Sequence, residues 1–282
     1  MTRVAFSVND IMYSVNRPSS RKSQRQSGRI ITNENERMKA AELHDAAPQG
    51  SESTRDRIME ATKILVARKG VRATTVRDIC HATGVNIAAV NYYFRSKSDL
   101  TRQALLGILE PVNRHRETLL RAAIEEYGAA PVPVERIIAC LAQPMIDDID
   151  EKTGSSLFLR ALQHMRAELA TEVNQFVHNS FDSVAQLFVN QLARSLPELS
   201  RSEVAWRYEL LRGSVIHILA DCDPLVGKLR FLGVGPGSAI QSPEDRAYAL
   251  QAIIAYSIGG LTAPPAWPSS SEFIVLKVAP NP

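Results

Sequence analysis

A chain of 282 residues with 45% hydrophobic and 22% charged side chains holds enough apolar material for one large packed domain or two modest ones. Its 33 Lys and Arg against 30 Asp and Glu leave a formal charge of +3, too small to name a partner by itself. No apolar run reaches the roughly 18–20 residues that cross a bilayer, and the N-terminus lacks the cationic start, apolar block and small-residue site of a secretion signal. No membrane partner is expected. Residues 1–50 hold 8 cations and 5 acids, 51–100 hold 9 and 5, and 101–282 hold 16 and 20. Two short basic segments thus precede a mildly acidic body, an asymmetry that fits a nucleic-acid-binding front end. Cys80, Cys140 and Cys222 are widely spaced, odd in number and set in apolar-periodic surroundings. They read as free buried thiols in a reducing cytoplasm.

Residues 1–51 are expected to be a disordered basic arm. "NRPSSRKSQRQSGR" (16–29) has five cations, no acid and little to bury. It reads as a solvated tail, as added nonspecific DNA affinity, or as the product of an early start, with Met38 as the alternative. From Ser53 the pattern turns helical: Ser53 or Thr54 caps, Ile58, Ala61 and Leu65 recur at helical spacing, and Gly70 stops the helix. "TTVRDICHAT" (74–83) predicts a short second helix, with Thr75 as cap and Asp78 completing a capping box. "GVN" breaks it, and "IAAVNYYF" makes a third. Segments 98–127, 134–149, 155–169, 171–195, 202–221 and 243–260 are each apolar at helical spacing. Pro111 and Pro144 predict kinks or early ends. Residues 262–282 read as a Pro/Ser-rich tail.

Three short helices with a glycine between the second and third form a helix-turn-helix over 75–94. Gly84 suits the turn because a positive φ costs it little. Small Cys80 and Ala82 let the two helices approach, while Ile79, Val85 and Val90 fill the wedge. "GVNIAAVNYYFRSK" (84–97) crowds aromatics and cations together because one side of this helix faces a core and the other faces DNA. Phe94 is expected to point inward. Tyr92, Tyr93 and Lys97 are expected to reach phosphate, sugar or a thymine methyl.

"TTVRDICHATGVNIAAVNYYFRSKSDL" resembles the N-terminal domain of the TetR/AcrR family of bacterial transcriptional regulators. "TTVRDI", "GV" and "YYF-x-SK" stand in order at the family's spacing, and the resemblance covers about residues 52–112. "N-x-A-A-V-N-Y" and, more weakly, "WRYELLRGSVIHIL" (206–219) are similar to the branch containing fatty-acid-responsive regulators. The resemblance implies that Ile87, Ala88, Ala89 and Tyr92 read bases, that Arg77 reaches bases or phosphate, and that Thr75, Tyr93 and Lys97 contact phosphate. With so few polar side chains at the reading positions, specificity leans on Asn86, Asn91, Arg77, methyl contacts and DNA shape. It also implies a homodimer built on helices 202–221 and 243–260, bound to a palindromic double-stranded operator.

No Gly-x-Ser-x-Gly, Walker-type lysine loop or His-Glu-x-x-His occurs, so no enzyme, metal or cofactor is expected. "DDIDE" (147–151) reads as an exposed helix end, and "GVGPG" (233–237) as a connection. His81, His164, His178 and His217 read mainly as structural. An effector pocket is expected between bundle helices, drawing on Phe158, Leu162, Met165, Phe176, Phe181, Leu211, Ile216 and Leu219. Arg160, His164, Arg212 and His217 are the polar candidates to orient a carboxylate or phosphate, with a fatty acid or acyl-coenzyme A as the ligand that the family analogy suggests. The apolar set equally reads as plain bundle core.

The expected fold is all-α. An N-terminal three-helix DNA-binding domain (52–112) precedes a C-terminal helical bundle for ligand binding and dimerisation (113–261). The expected function is a ligand-responsive repressor. A helical binding protein or enzyme with a vestigial DNA-binding domain, and an effector-free dimeric scaffold, are the alternatives.

Overall fold

Ser53 opens the first helix of the computed structural model, which describes residues 53–168, 181–233 and 239–265. Among these residues the chain is entirely helical, and most helices begin on a side chain suited to the task. The helices are α1 (Thr54–Ala73), α2 (Val76–Thr83), α3 (Ile87–Tyr93), α4 (Lys97–Tyr127), α5 (Val134–Asp147), α6 (Leu157–Ala167), α7 (Asp182–Ser195), α8 (Arg201–Asp221), the single turn α9 (Lys228–Phe231) and α10 (Pro243–Leu261). Ser53, Thr75, Asn86, Ser96, Ser156, Ser200 and Ser242 each accept an amide N–H of the first turn, satisfying donors that a helix start leaves unpaired.

The breaks are residue-specific. Gly84 ends α2 at φ 72°. Gly70, read as the stop of the first helix, does leave helical geometry at φ 81° and ψ 171°, but the chain then resumes for one turn to Ala73. Pro111 does not end its helix: α4 runs 31 residues through it, about 46 Å at 1.5 Å per residue. Pro144 sits three residues before the end of α5.

Two apolar clusters form. Ile58, Ile79, Val90, Phe94 and Leu100 make a small one, with Met59, Leu65, Val76, Cys80 and Val85 around it. A larger one gathers residues from Val66 on α1 to Leu261 on α10. Helices α1 and α4 belong to both, and the clusters change over between Leu100 and Leu105 on α4. Cys140 and Cys222 are buried as expected, and burial pushes both thiols up, Cys222 to about 11. Cys80 is only half-buried, because it stands at the edge of the small cluster. Ala82, read as a close-approach residue, is exposed.

Two arginines, Arg207 buried and Arg246 half-buried, tie off helix ends. Arg207 donates to the carbonyls of Leu261, Ala263 and Pro264 at 2.6–2.8 Å and to Glu203 at 2.6 Å, closing the end of α10. Arg246 does the same for α5 through Ile146 and Ile149. The stretches 1–52, 169–180, 234–238 and 266–282 lie outside the described residues, and with them the basic arm, Phe176, His178 and the Pro/Ser-rich tail.

Candidate DNA-contacting face and interior cavity

A capping box fixes the start of α2. The Thr75 hydroxyl accepts the Asp78 N–H at 3.2 Å and donates to the Asp78 carboxylate at 2.6 Å, which also accepts the Thr75 N–H at 2.8 Å. Lys69 pairs with the same carboxylate at 2.7 Å and, with these bonds, holds it well below the usual range. The Thr75 hydroxyl is therefore engaged in the cap as well as exposed. Asn86 likewise uses its Oδ1 to accept the Ala89 N–H at 2.8 Å, capping α3. Arg57 donates to the Thr83 carbonyl at 2.5 Å, fastening the end of α2 to α1.

Helix α3 divides by face. Val90 and the following Phe94 are buried in the small cluster, with the Arg55 guanidinium 5.3 Å from the Phe94 ring centre. Ile87, Ala88, Asn91 and Tyr92 face outward, Ala89 is half-buried, and Tyr92 is 76% exposed. Tyr93 stands edge-on to Tyr92 with ring centres 5.0 Å apart. Arg77 on α2 is exposed on its own. Lys97 is half-buried, its Nζ donating to the Arg72 carbonyl at 3.3 Å.

A cavity of about 160 Å³ lies between α4, α5, α6, α7 and α8. Phe158, Leu162, Met165 and Arg212 from the sequence reading line it, with Phe181 and Ile216. Arg160, His164 and His217 do not. Helical phase explains the division: Phe158, Leu162 and Met165 at i, i+4 and i+7 share one face of α6, and Arg160 and His164 fall on the other. Arg160 instead pairs with Asp223 at 2.7 and 2.9 Å, and His164 packs beside Gly70. His217 is exposed, 3.5 Å from the Asp221 carboxylate. Leu211 and Leu219 are core residues outside this cavity.

Arg116 on α4 also lines the cavity and was not singled out from sequence. Its Nε donates to the Leu141 carbonyl and its Nη1 to Asn113 Oδ1, each at 3.0 Å, and its guanidinium lies 5.3 Å from the Phe158 ring centre. Nη2 has no hydrogen-bond partner among the described residues. Burial pushes this guanidinium down to about 10. A signal was present: Leu109, Val112 and Leu120 mark the buried face of α4, and Arg116 stands in phase with them. Tyr208, buried and stacked on Phe188 at 6.2 Å, completes the wall, while Arg212 is bound by Glu209.

Two further features frame these sites. The Glu168 carboxylate, at the end of α6, accepts the Arg72 N–H at 3.3 Å, so the helix that lines the cavity touches the end of α1. On the outside, α8 and α10 expose Trp206, Leu210, Tyr248 and Tyr256, and the two tyrosines line an apolar groove of about 440 Å³.

Comparison with known proteins adds two family matches. Residues 58–104 match the model for bacterial regulatory proteins of the tetR family, and residues 139–255 match that for a tetracyclin repressor-like C-terminal domain. The transcriptional regulator YttP of Bacillus subtilis, itself described as probable, is 35% identical over 66 residues, 23% of this chain and 32% of YttP. The repressor KstR2 of Rhodococcus jostii is 33% identical over 69 residues (24% and 34%), and the regulator TtgR of Pseudomonas putida is 34% identical over 82 residues (29% and 37%). The alignments thus span about a third of these curated relatives. The solved structure of a protein described as a transcriptional regulator from Pseudomonas aeruginosa PAO1 shares the fold at TM-score 0.50 and 19% identity, over 74% of this chain and 89% of that one.

Proposed function

The chain belongs to the TetR family of bacterial regulators, and from that premise we propose that it binds a palindromic DNA operator as a homodimer and releases it when a small hydrophobic effector occupies the interior cavity. The observation that carries the DNA half is the division of α3, with Val90 and Phe94 anchoring one side while Ile87, Asn91 and Tyr92 stand outward on the other. Arg77, Tyr93 and Lys97 flank that face as phosphate partners, and Asn86 and Thr75 set the helix starts that aim it. Two copies of α3 would enter successive major grooves about 34–36 Å or somewhat more apart.

The exposed aromatic and aliphatic side chains of α8 and α10 support the dimer: Trp206, Leu210 and Tyr256 are 72%, 63% and 76% exposed in the single chain. A patch of that kind on a lone chain marks an association surface. Among the described residues no helix is long and apolar enough to cross a membrane, and we place the protein in the cytoplasm with its DNA. No catalytic role enters this reading.

Release follows from the geometry of α4, which carries cavity residues Leu109, Asn113 and Arg116 and begins at the Ser96 cap beside α3. A ligand that favours one setting of α4 changes the separation of the two α3 helices. It weakens DNA binding by the same factor by which DNA weakens ligand binding. The test is fluorescence anisotropy of the full chain on its own upstream duplex and a scrambled duplex, at about 50 and 200 mM salt, where nonspecific contacts fade steeply. Preference for the native duplex at both salts, abolished in Tyr92→Ala, supports the reading; equal, salt-erased binding to both duplexes refutes specific recognition of that duplex.

A further inference from the structure

A purely apolar effector would leave Arg116 unexplained. This arginine is 5% exposed and stands in α4 where the buried repeat of Leu109, Val112 and Leu120 calls for an apolar side chain. Two of its nitrogens are held by the Leu141 carbonyl and Asn113, while Nη2 has no hydrogen-bond partner among the described residues and no carboxylate there pairs with the guanidinium. A guanidinium withdrawn from water without a counter-charge is strongly unfavourable. The acids that share the cavity wall, Asp182 and Glu209, are both exposed at its rim, and Glu209 is bonded to Arg212. The inner wall therefore keeps a positive charge over the face of Phe158, in a cavity that Phe188 and Tyr208 also line.

Resting on the reading of this cavity as the effector site, we propose that its ligand is a compact hydrophobic monocarboxylate, an apolar body about the size of one six-membered ring, with its carboxylate on Arg116. Volume sets the size of the body. The cavity measures about 160 Å³; one of about 150 Å³ accommodates benzene, and drug-sized ligands occupy about 300–1,000 Å³. A long acyl chain or a coenzyme A thioester would have to extend out past the rim. Charge and geometry set the class of the head group. Nη2 is a buried donor with no hydrogen-bond partner among the described residues, so a carboxylate oxygen that reaches it accepts one N–H, and the guanidinium stays protonated at neutral pH although burial pushes it down to about 10. A neutral isostere of the same shape would leave the buried charge uncompensated. Recognition by this site therefore turns on the anion.

The experiment is isothermal titration calorimetry of the full chain with benzoate, cyclohexanecarboxylate, hexanoate, neutral benzamide, palmitate and palmitoyl-coenzyme A, followed by each compound's effect on operator binding. A ring-sized carboxylate is expected to bind once per chain, about 10- to 100-fold more tightly than benzamide, the factor carried by a charge-assisted hydrogen bond. Arg116→Gln should erase that preference. If Arg116→Gln does not fold, Arg116→Lys, which keeps the charge and loses the fork, should bind the acid with intermediate affinity. Leu162→Trp, which fills the cavity and leaves Arg116 untouched, should abolish binding. Equal affinity for acid and amide, an Arg116→Gln variant that keeps the preference, or absence of binding by all three small acids overturns the proposal. Operator release by palmitoyl-coenzyme A without small-acid binding sinks this proposal and leaves the regulator reading intact. Arg116-dependent acid binding without any effect on DNA does the reverse.

Discussion

Gly70→Ala tests how the end of α1 is joined to the helix that lines the cavity. Gly70 has φ 81° and ψ 171°, a region essentially closed to residues with a side chain, which costs about 1–3 kcal/mol. A Cβ placed there would lie 2.0 Å from Glu168 Oε1 and 2.9 Å from its carboxyl carbon, so the Glu168 side chain must swing away. It then leaves the Arg72 N–H, which it accepts at 3.3 Å through both oxygens. A hydrogen bond to a charged acceptor contributes about 1.5–3 kcal/mol, and these are long and partly exposed, so about 1 kcal/mol is assigned. The sum is about 2–4 kcal/mol, which for a chain of this size lowers Tm by roughly 4–15 °C. Calorimetry on wild type, Gly70→Ala, Glu168→Ala and the double variant separates the two parts, because without Glu168 the substitution retains only its dihedral cost. A loss below about 0.5 kcal/mol refutes the dihedral reasoning, being the size of an ordinary surface substitution. An identical loss with and without Glu168 refutes the contact.

Other expectations concern the surfaces and the carboxylates. Tyr92→Ala or Lys97→Ala should weaken operator binding while size-exclusion light scattering still reports a dimer; a variant that binds like wild type removes that residue from the interface. Leu210→Asp combined with Tyr256→Asp should give a monomer with unchanged helical circular dichroism, and a persistent dimer would move the interface away from α8 and α10. Arg102 holds the Asp99 carboxyl below its usual 3.8, and Lys69 and Thr75 hold that of Asp78 well below it. These depressed values mean that the α2 cap and the Asp99–Arg102 pair in the first turn of α4 stabilise fully above about pH 3.8 and lose that contribution as pH falls through the folded-state values. Burial raises Asp148, so it acts in the opposite sense, costing stability as pH rises past 3.8. Carboxyl NMR titrations should therefore place Asp78 and Asp99 below 3.8 and Asp148 above it; the reverse order would refute the assigned causes.

Much of the architecture was legible because it is written in local chemistry. Ser53, Thr75 with Asp78, and Gly84 announce helix ends through their own hydrogen bonds and dihedrals, and Phe94, the residue that ends α3 with its N–H on the Val90 carbonyl, is buried beside Val90. The early end that Pro111 allows does not occur, since a proline argues against helix continuation locally while α4 is held on both sides by the two apolar clusters. The cavity was half legible. Phe158, Leu162 and Met165 follow from apolar spacing, whereas Arg160, His164 and His217 are suggested by side-chain type alone and stand on faces turned away from the cavity. Arg160 belongs to Asp223, 63 residues away, a pairing that no local pattern announces. Arg116 was overlooked for the converse reason: its type reads as surface, whereas its phase with Leu109 and Val112 reads as core.

The connection between cavity and DNA-contacting face is an energetic question that the geometry answers in outline. Coupling between an effector and a second site is typically about 1–3 kcal/mol. That is the size of one charge-assisted hydrogen bond, so no wholesale rearrangement is required. Two routes of that size leave the cavity. One is α4 itself, continuous from Arg116 to the Ser96 cap next to Phe94. The other runs along α6 from Phe158 and Met165 to Glu168, which meets Arg72, whose carbonyl in turn accepts from Lys97. The second route ends on a residue assigned to phosphate contact, so a shift of Glu168 reaches the DNA side through a single backbone unit. The two routes are separable. Glu168→Ala should reduce the factor by which an effector weakens operator binding while leaving effector affinity in the DNA-free dimer within about twofold, less than the factor that one ordinary hydrogen bond represents. If the factor is unchanged, α4 alone carries the coupling.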